Sequence, residues 1–430
     1  MTKTAWPWYL QACATLNINM GKVLVVGNGG REHAISDKLY REGHEIYMLG
    51  ENPGVAKFGT CIDIGEEKLP DFCKEKAIDL VIIGPEAYLV AGLSDKLESA
   101  GVRVFGPNKT AAILEGSKAF AKDFMKKYDI PTAAYETFTD YEKALEYIEN
   151  SNFPLVIKAD GIAAGKGVII AQNLDEGKKA ISEIMVNKKF AEAGASVVIE
   201  EFLEGEEFSL LAFVSGEKIV PMKVVQDHKR AFDKDEGPNT GGMGVYMPIK
   251  NITDSDIEEA IEKILKPTAL GMIDEGRVFK GILFAGLMKT KDGVKTIEYN
   301  VRFGDPETEL IMLAMESSLF DIANKVIDGE DFEIKWNDKA YIGVVLASKG
   351  YPEDYEKGFE IEGLEKIDSK VFHMGTKEEN GKILTNGGRV LIVCSEGENL
   401  EEARDAAYRD IEKIKCDNLF YRKDIGHLSL

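Results

Sequence analysis

The apolar positions between Val23 and Gly106 fall in short, unalternated runs: Val23–Val26, Ile46–Leu49, Leu80–Ile83 and Val102–Phe105. Such runs, bounded by glycine or proline and separated by helical stretches, are strands buried on both faces of a parallel sheet. They predict a doubly wound α/β unit of about a hundred residues. Gly106-Pro107-Asn108 breaks the pattern, and Ser117 predicts an N-cap for a lysine-bearing helix ending near Tyr128.

Beyond that helix the period changes. Leu155–Lys158 and Val168–Ala171, joined by the glycine-rich stretch 159–167, read as a hairpin with a mobile loop. A helix over Asp175–Val186 and strands at Val197–Glu201, Ser209–Val214 and Lys218–Val225 predict an α+β lobe with an antiparallel sheet. Residues 226–247, rich in glycine and charge, read as one long loop, a length that in a compact domain points to function. A helix over Asp254–Glu275 leads to strands at Leu283–Met288 and Val294–Phe303. Strands near Tyr341–Ala347, Lys370–His373 and Arg389–Cys394, then a helix capped by Asn399, make a further small α+β domain. The chain is thus read as an extension over 1–19, an N-terminal domain over 20–121, a two-lobed domain over 122–335 divided near 195, and a C-terminal domain over 336–430.

Composition narrows the function. With 44% hydrophobic and 30% charged residues the chain is globular, and no apolar run reaches the length of roughly 18 residues that a membrane span needs. A formal charge of -21 argues against an extended nucleic-acid surface while leaving room for a small anionic substrate held by a local cluster. Cys13, Cys61, Cys73, Cys394 and Cys416 are scattered, odd in number and without metal spacing, which reads as a reducing, cytoplasmic setting.

The chemistry concentrates in a few segments. E-Y-N-V-R-F-G-D-P-E, from Glu298 to Glu307, sets Glu298, Asn300 and Arg302 at alternate positions of a strand, on one face of an otherwise apolar element. Glu298 and Asn300 suit a hard divalent cation, and Arg302 a carboxylate or phosphate. A buried Glu–Arg pair accounts for the same residues, and this segment alone does not separate the two. Gly27-Asn28-Gly29-Gly30-Arg31-Glu32-His33 follows a buried strand and opens a helix, the setting in which backbone N–H groups meet a phosphate. Its third glycine position is Glu32, so a nicotinamide-dependent oxidoreductase, the alternative from a different class, lacks its fingerprint. Gly84-Pro85-Glu86 leaves another strand of that sheet at the same edge. Lys158 to Gly167 joins a strand lysine to a loop of glycines and alanines around Lys166, the composition of a phosphate cover. Glu200 to Glu207 sets acids around Phe202 and Leu203, room for an adenosine. Asp227 to Gly244 mixes bases, acids and glycines as a substrate-closing segment does.

Taken in order, G-N-G-G-R-E-H-A at Gly27, G-P-E at Gly84, L-E-G-S-K-A-F at Leu114, the Lys158 loop, E-E-F-L-E-G-E-E at Glu200, Q-D-H-K-R…G-P-N-T-G-G-M-G at Gln226, R-F-G-D-P-E at Arg302 and R-K-D-I-G at Arg422 resemble the ATP-grasp superfamily. Within it they resemble the phosphoribosylamine–glycine ligase (glycinamide ribonucleotide synthetase) family of purine biosynthesis. The resemblance implies a pre-ATP-grasp domain, a two-lobed ATP-grasp domain and a small C-terminal domain. It implies that glycine is joined to 5-phosphoribosylamine through glycyl phosphate, with ATP as co-substrate, Mg2+ or Mn2+ as cofactor, and a monomer or weak homo-oligomer binding neither nucleic acid nor membrane. Another ATP-grasp carboxylate–amine ligase is the nearest rival.

By the same resemblance Lys118 and Lys158 touch ATP phosphates, with Gly165, Lys166 and Gly167 closing over them. Glu200, Leu203 and Glu207 receive adenine and ribose, Glu298 and Asn300 bind the metal, and Arg302 and Lys158 act in catalysis. Read from the turns and the loop themselves, Gly29, Gly30, Arg31, Glu32, His33, Pro85 and Glu86 hold the ribose phosphate, and Asp227, Lys229, Asn239, Thr240, Gly241 and Asp305 contact the substrates. Two departures stand out. Phe284-Ala285-Gly286-Leu287 carries no second acidic metal ligand, and Glu309 replaces the usual Gln or Met, read here as an exposed helix residue.

Overall fold

The computed structural model describes residues 20–162, 167–187 and 194–430. Its N-terminal sheet is wholly parallel, in the order Thr60–Ile62, Glu45–Leu49, Lys22–Val26, Leu80–Ile83, Val104–Phe105. The order reverses at Lys22–Val26, so the turns at Gly27 and Gly84 leave the sheet side by side at its carboxyl edge, where open α/β sheets bind ligands. The fourth expected strand is shorter than its apolar run, because Val102 closes the preceding helix through its N–H to Leu97 O at 3.1 Å.

The next sheet, Tyr135–Phe138, Val197–Glu201, Leu155–Ala159 and Val168–Ala171, is antiparallel and contains the predicted hairpin. Helices Tyr141–Glu149 and Leu174–Ile181 start on side-chain caps from Asp140 and Asn173 and cover it. Ile148, Leu155, Ile157, Ile181 and Ile199 give this lobe a core of its own. Ser117 caps the helix Lys118–Lys127 as expected.

The second lobe is built on Lys218–Pro221, Glu206–Ser215, Lys280–Thr290 and Gly293–Asn300, all antiparallel. The first of these ends at Pro221, and the chain returns to the same neighbour at Val225, whose N–H donates to Ser209 O at 3.2 Å. In the last, Gly286 pairs with Glu298 but Leu287 with Thr296, so Ile297 is a bulge. That extra residue explains why the apolar phase slips from Val294 to Tyr299. The strand ends at Asn300, earlier than Phe303, because Val301 gives its N–H to Glu115 Oε2 at 2.7 Å.

The segment 226–247 is not a loop. Gln226–Asp227 and Gly244–Met247 join Ala340–Ser348, Arg389–Gly397 and Lys370–His373 in an antiparallel sheet, and Arg230–Phe232 pairs with Glu236–Asn239 as a hairpin. Its glycines and charges hid these strands, and its apolar run, Val245–Met247, is too short to register as periodicity. The C-terminal sheet is therefore not made of residues 336–430 alone.

One face of the N-terminal sheet, through Leu24, Val26, Val81 and Ile83, shares a core with Phe208, Leu210, Leu283 and Val301. The other face, through Val23, Val25, Leu80 and Ile82, shares one with Phe303, Leu310, Val345 and Ile392. At about 1.5–3 kcal/mol for each fully buried aliphatic side chain, these shared cores hold the three regions in fixed register. No helix among the described residues is long and apolar enough to cross a membrane.

Candidate active site

A cleft of about 820 Å³ opens between the lobes and is lined from every region described above. Its cationic wall begins on the helix Lys118–Lys127. Lys118 Nζ donates to Gly161 O at 2.8 Å, and one turn on, Lys122 Nζ lies 2.8 Å from Glu200 Oε2. Lys158, on the hairpin strand, reaches the other oxygen, Glu200 Oε1, at 2.8 Å and donates to Ile297 O at 3.1 Å. Glu200, expected to receive an adenine amino group, is thus held between two buried lysines. Burial lowers the Lys122 pKa to about 8 even against the pull of Glu200. Lys122 escaped the sequence reading, although its spacing of four from Lys118 puts both on one helix face. Asp160, also missed, accepts from Ala119 N at 3.2 Å and so fixes that helix to the start of the Lys158 loop.

Glu298, Asn300 and Arg302 do share a face and line the cleft. Arg302 Nη2 donates to Asn300 Oδ1 at 3.0 Å and Nη1 to Phe303 O at 3.3 Å, and the guanidinium faces Glu86 Oε2 at 3.2 Å and Glu115 Oε1 at 3.1 Å. Burial works to raise the Glu298 pKa, but Lys158, Lys118, Lys229 and Arg302 outweigh it and hold the group below its ordinary range. Around Arg302 the two acids divide: burial pushes Glu115 up to about 7, while Arg302 and Arg31 overcome burial at Glu86 and hold it low. Glu115 stands inside the L-E-G-S-K motif, where nothing but its neighbours marked it.

The opposite wall is acidic. Asp227 lies 2.9 Å from Lys229 Nζ, which also faces Glu207 at 3.9 Å, and Glu307 accepts from Ser209 Oγ at 3.1 Å. Burial raises Glu207 and pushes Asp227 up to about 7, with Lys229 opposing in both cases. Asn239, Thr240 and Gly241 complete this wall. Arg389, unmarked in the sequence except by its two preceding glycines, donates to Gly241 O at 2.6 Å and Asp305 O at 2.8 Å, joining three segments.

The Gly27 turn is only partly brought in. Arg31, Pro85 and Glu86 line the cleft, with Leu203 and Gly167 elsewhere on its rim; Gly29, Gly30, Glu32 and His33 do not line it. The first N–H groups of the helix Gly30–Arg41 are met by the chain's own carboxylates, since Gly29 N donates to Glu32 Oε2 at 2.7 Å and Arg31 N to Asp305 Oδ2 at 3.3 Å. Carboxylates at that end complement the helix dipole and stand where a dinucleotide pyrophosphate would have to sit. His33 turns away, accepting from His373 N at 2.9 Å and packing edge-on against Phe372. Gly165 and Lys166 lie outside the described residues. Glu309 is fully buried, not exposed: its oxygens point at Gly30, where an added Cβ would lie 2.5 Å from Oε1, and neither has a hydrogen-bond partner among the described residues.

Known proteins match this chain over 94% of its length. Residues 21–115, 116–308 and 341–428 match the N, ATP-grasp (A) and C domains of phosphoribosylglycinamide synthetase. The phosphoribosylamine–glycine ligase of Halalkalibacterium halodurans is 50% identical over 411 residues, covering 94% of this chain and 96% of its own. That of Listeria monocytogenes serovar 1/2a is 48% identical over 94% of this chain and 99% of its own. The crystal structure of the Thermotoga maritima enzyme superposes with a TM-score of 0.84 at 38% identity, over 94% of this chain and 99% of that one. The biotin carboxylase domain of a Hydrogenobacter thermophilus 2-oxoglutarate carboxylase, at 16% identity and a TM-score of 0.72 over 93% of this chain and 91% of that one, shares the fold. An ATP-grasp domain between matching N and C domains, on a cleft walled by lysines and carboxylates, makes this chain a member of the phosphoribosylamine–glycine ligase family.

Proposed function

We propose that the cleft joins glycine to 5-phosphoribosylamine at the expense of ATP, through glycyl phosphate. The observation that carries this reading is the division of one cleft into a cationic wall and an acidic wall that meet at Glu298, Asn300 and Arg302. Lys118 and Lys158 take the ATP phosphates, with Lys166 and its flanking glycines as their cover. Glu200, Leu203 and Glu207 take adenine and ribose; for Glu200 this requires exchange of one lysine contact. Glu298 and Asn300 fit a divalent cation by donor chemistry, as hard oxygens on one face, with Glu307 in the same cleft supplying the acid that residues 284–287 lack. When bound, such an ion neutralises charge on the transferring phosphoryl group.

Glycine arrives as a zwitterion. Its carboxylate attacks the γ-phosphorus, ADP leaves, and Lys158 and Arg302 offset the charge that gathers on the phosphoryl oxygens. Asp227, once ionised, accepts from the glycine ammonium, and Lys229 opposes the burial that pushes its pKa up. The amine of phosphoribosylamine then attacks the acyl carbon, phosphate departs, and an amine proton is released, giving 5-phosphoribosylglycinamide. Arg31, Pro85 and Glu86 border the ribose end, and Asn239, Thr240, Gly241 and Asp305 border the reacting amine. A cytoplasmic setting belongs to the same reading, supported by the free thiols Cys61, Cys73, Cys394 and Cys416.

The test is ADP release assayed with glycine, with freshly made phosphoribosylamine, and with both. Release that needs both substrates is expected. ADP from glycine alone would leave the acyl phosphate chemistry standing and change the acceptor; no ADP with both would end the proposal.

A further inference from the structure

R-K-D-I-G at Arg422 is the one signature segment without a part in this chemistry. Arg422 has a side chain with no exposed surface, and all its N–H groups that are paired go to two places. Nε and Nη2 donate to Asp424 Oδ1 and Oδ2 at 2.8 and 2.9 Å, a fork on a fork. Nη1 donates to Arg230 O at 3.1 Å and Asp235 Oδ1 at 2.7 Å, both on the hairpin 230–239.

The backbone repeats the tie. Lys234 N donates to Asp424 Oδ2 at 2.7 Å, and Lys423 N to Asp233 Oδ1 at 2.8 Å. The turn so held contains Lys234 and Asp235 at φ 62° and 55°, left-handed conformations that non-glycine residues keep only under outside constraint. Gly426 N donates to His228 Nε2 at 3.0 Å, which leaves the proton on Nδ1, facing Asp235 Oδ1 at 3.4 Å. His228, Asp235 and His427 come close enough to suggest a metal seat, but this tautomer and the Arg422 guanidinium make them a hydrogen-bonded knot instead. Arg230, Asp235, Asn239 and, from the C-terminal segment itself, Leu428 reach the cleft.

We infer that Arg422 is a positioning residue for the ligase reaction: with Asp424 it clasps the hairpin 230–239 so that Lys229, Asn239 and Thr240 present a fixed wall to glycine and phosphoribosylamine. The hairpin is on this account a strap set in place by the end of the chain, not a free lid. The inference rests on the reading of the acidic wall as the substrate wall.

The clasp is tested in the full chain by Arg422→Gln, by Asp235→Asn at the half-exposed turn, and by Lys229→Ala, with KM for each substrate and Tm. Arg422→Gln should raise KM for glycine and phosphoribosylamine on the order of ten- to a hundredfold and leave KM for ATP within about twofold. Asp235→Asn should show the same split, smaller, and it decides alone if Arg422→Gln does not fold. Equal rises in all three constants, or none, overturn the clasp. If Lys229→Ala raises the two constants while the other variants do not, the clasp fails and the wall stands. If Lys229→Ala leaves them unchanged, the wall reading fails and takes the clasp with it.

Discussion

The two walls of the cleft reach opposite electrostatic outcomes. On the wall of Lys118, Lys122 and Lys158 cations outnumber acids, and Glu298 at the seam is held below its ordinary range. On the wall of Asp227, Glu207 and Glu307, Lys229 is outnumbered, and Asp227 and Glu207 are pushed up. Burial penalises every charge alike, so the neighbours decide the sign. A phosphate chain fits the first wall and an ammonium or amine the second. The seam is where a carboxylate can meet a phosphoryl group.

The seam should be the most sensitive point. Glu298→Gln keeps the shape and removes the charge that four cations surround, so kcat should fall on the order of a thousandfold with Tm close to that of the parent. A kcat within tenfold of the parent would erase the distinction between seam and walls. On the acidic wall, Asp227→Asn should act mainly on KM for glycine, by roughly tenfold, the worth of one charge-assisted contact. The parent should bind glycine better as pH rises through about 7, where Asp227 ionises, and the variant should lose that limb. A variant that kept it would assign the limb to Glu115, which titrates in the same range across the seam.

Legibility followed the same division. The seam could be read because Glu298 and Asn300 alternate at the end of one strand with Arg302 two residues beyond it, and a bulge at Ile297 does not disturb the residues after it. Lys158 could be read from its glycine-rich surroundings. Lys122 showed only its helical spacing from Lys118, and Glu115 and Arg389 showed nothing of their own, since each matters through a partner far away in the chain: Glu200, Arg302 and Gly241. The Gly27 turn misled in part for the same reason. Its phosphate-ready geometry is local and visible, whereas the carboxylate of Asp305 that meets Arg31 N comes from 274 positions on. The strap over 226–247 was hidden by composition, because short strands paired to distant ones carry no period of their own.

Glu309 sharpens the comparison at its smallest scale, because it carries the acidic wall's imbalance into a place with no lysine at all. Burial comes first and Asp305 second in raising its pKa well above 4.5, with only its own amide and Arg389 pulling the other way and Glu307 adding to the rise. It therefore holds its proton more tightly in the folded protein than in the unfolded chain. The sign follows: a folded-state pKa above the unfolded value means stability that is full below about pH 4.5 and is lost as pH climbs toward the folded pKa. Glu309→Gln has the same size and carries no proton to lose. Across urea titrations from pH 5 to pH 8 the variant should gain on the parent as pH rises, by about 1.4 kcal/mol for each pH unit up to the folded pKa, the linkage of a proton that the folded state holds more tightly. With kcat unchanged, that gain would make Glu309 a cost to the fold alone. A gap that stayed constant with pH would mean the carboxyl finds a partner once ligand or solvent enters, and that the acidic wall extends behind the Gly30 helix end.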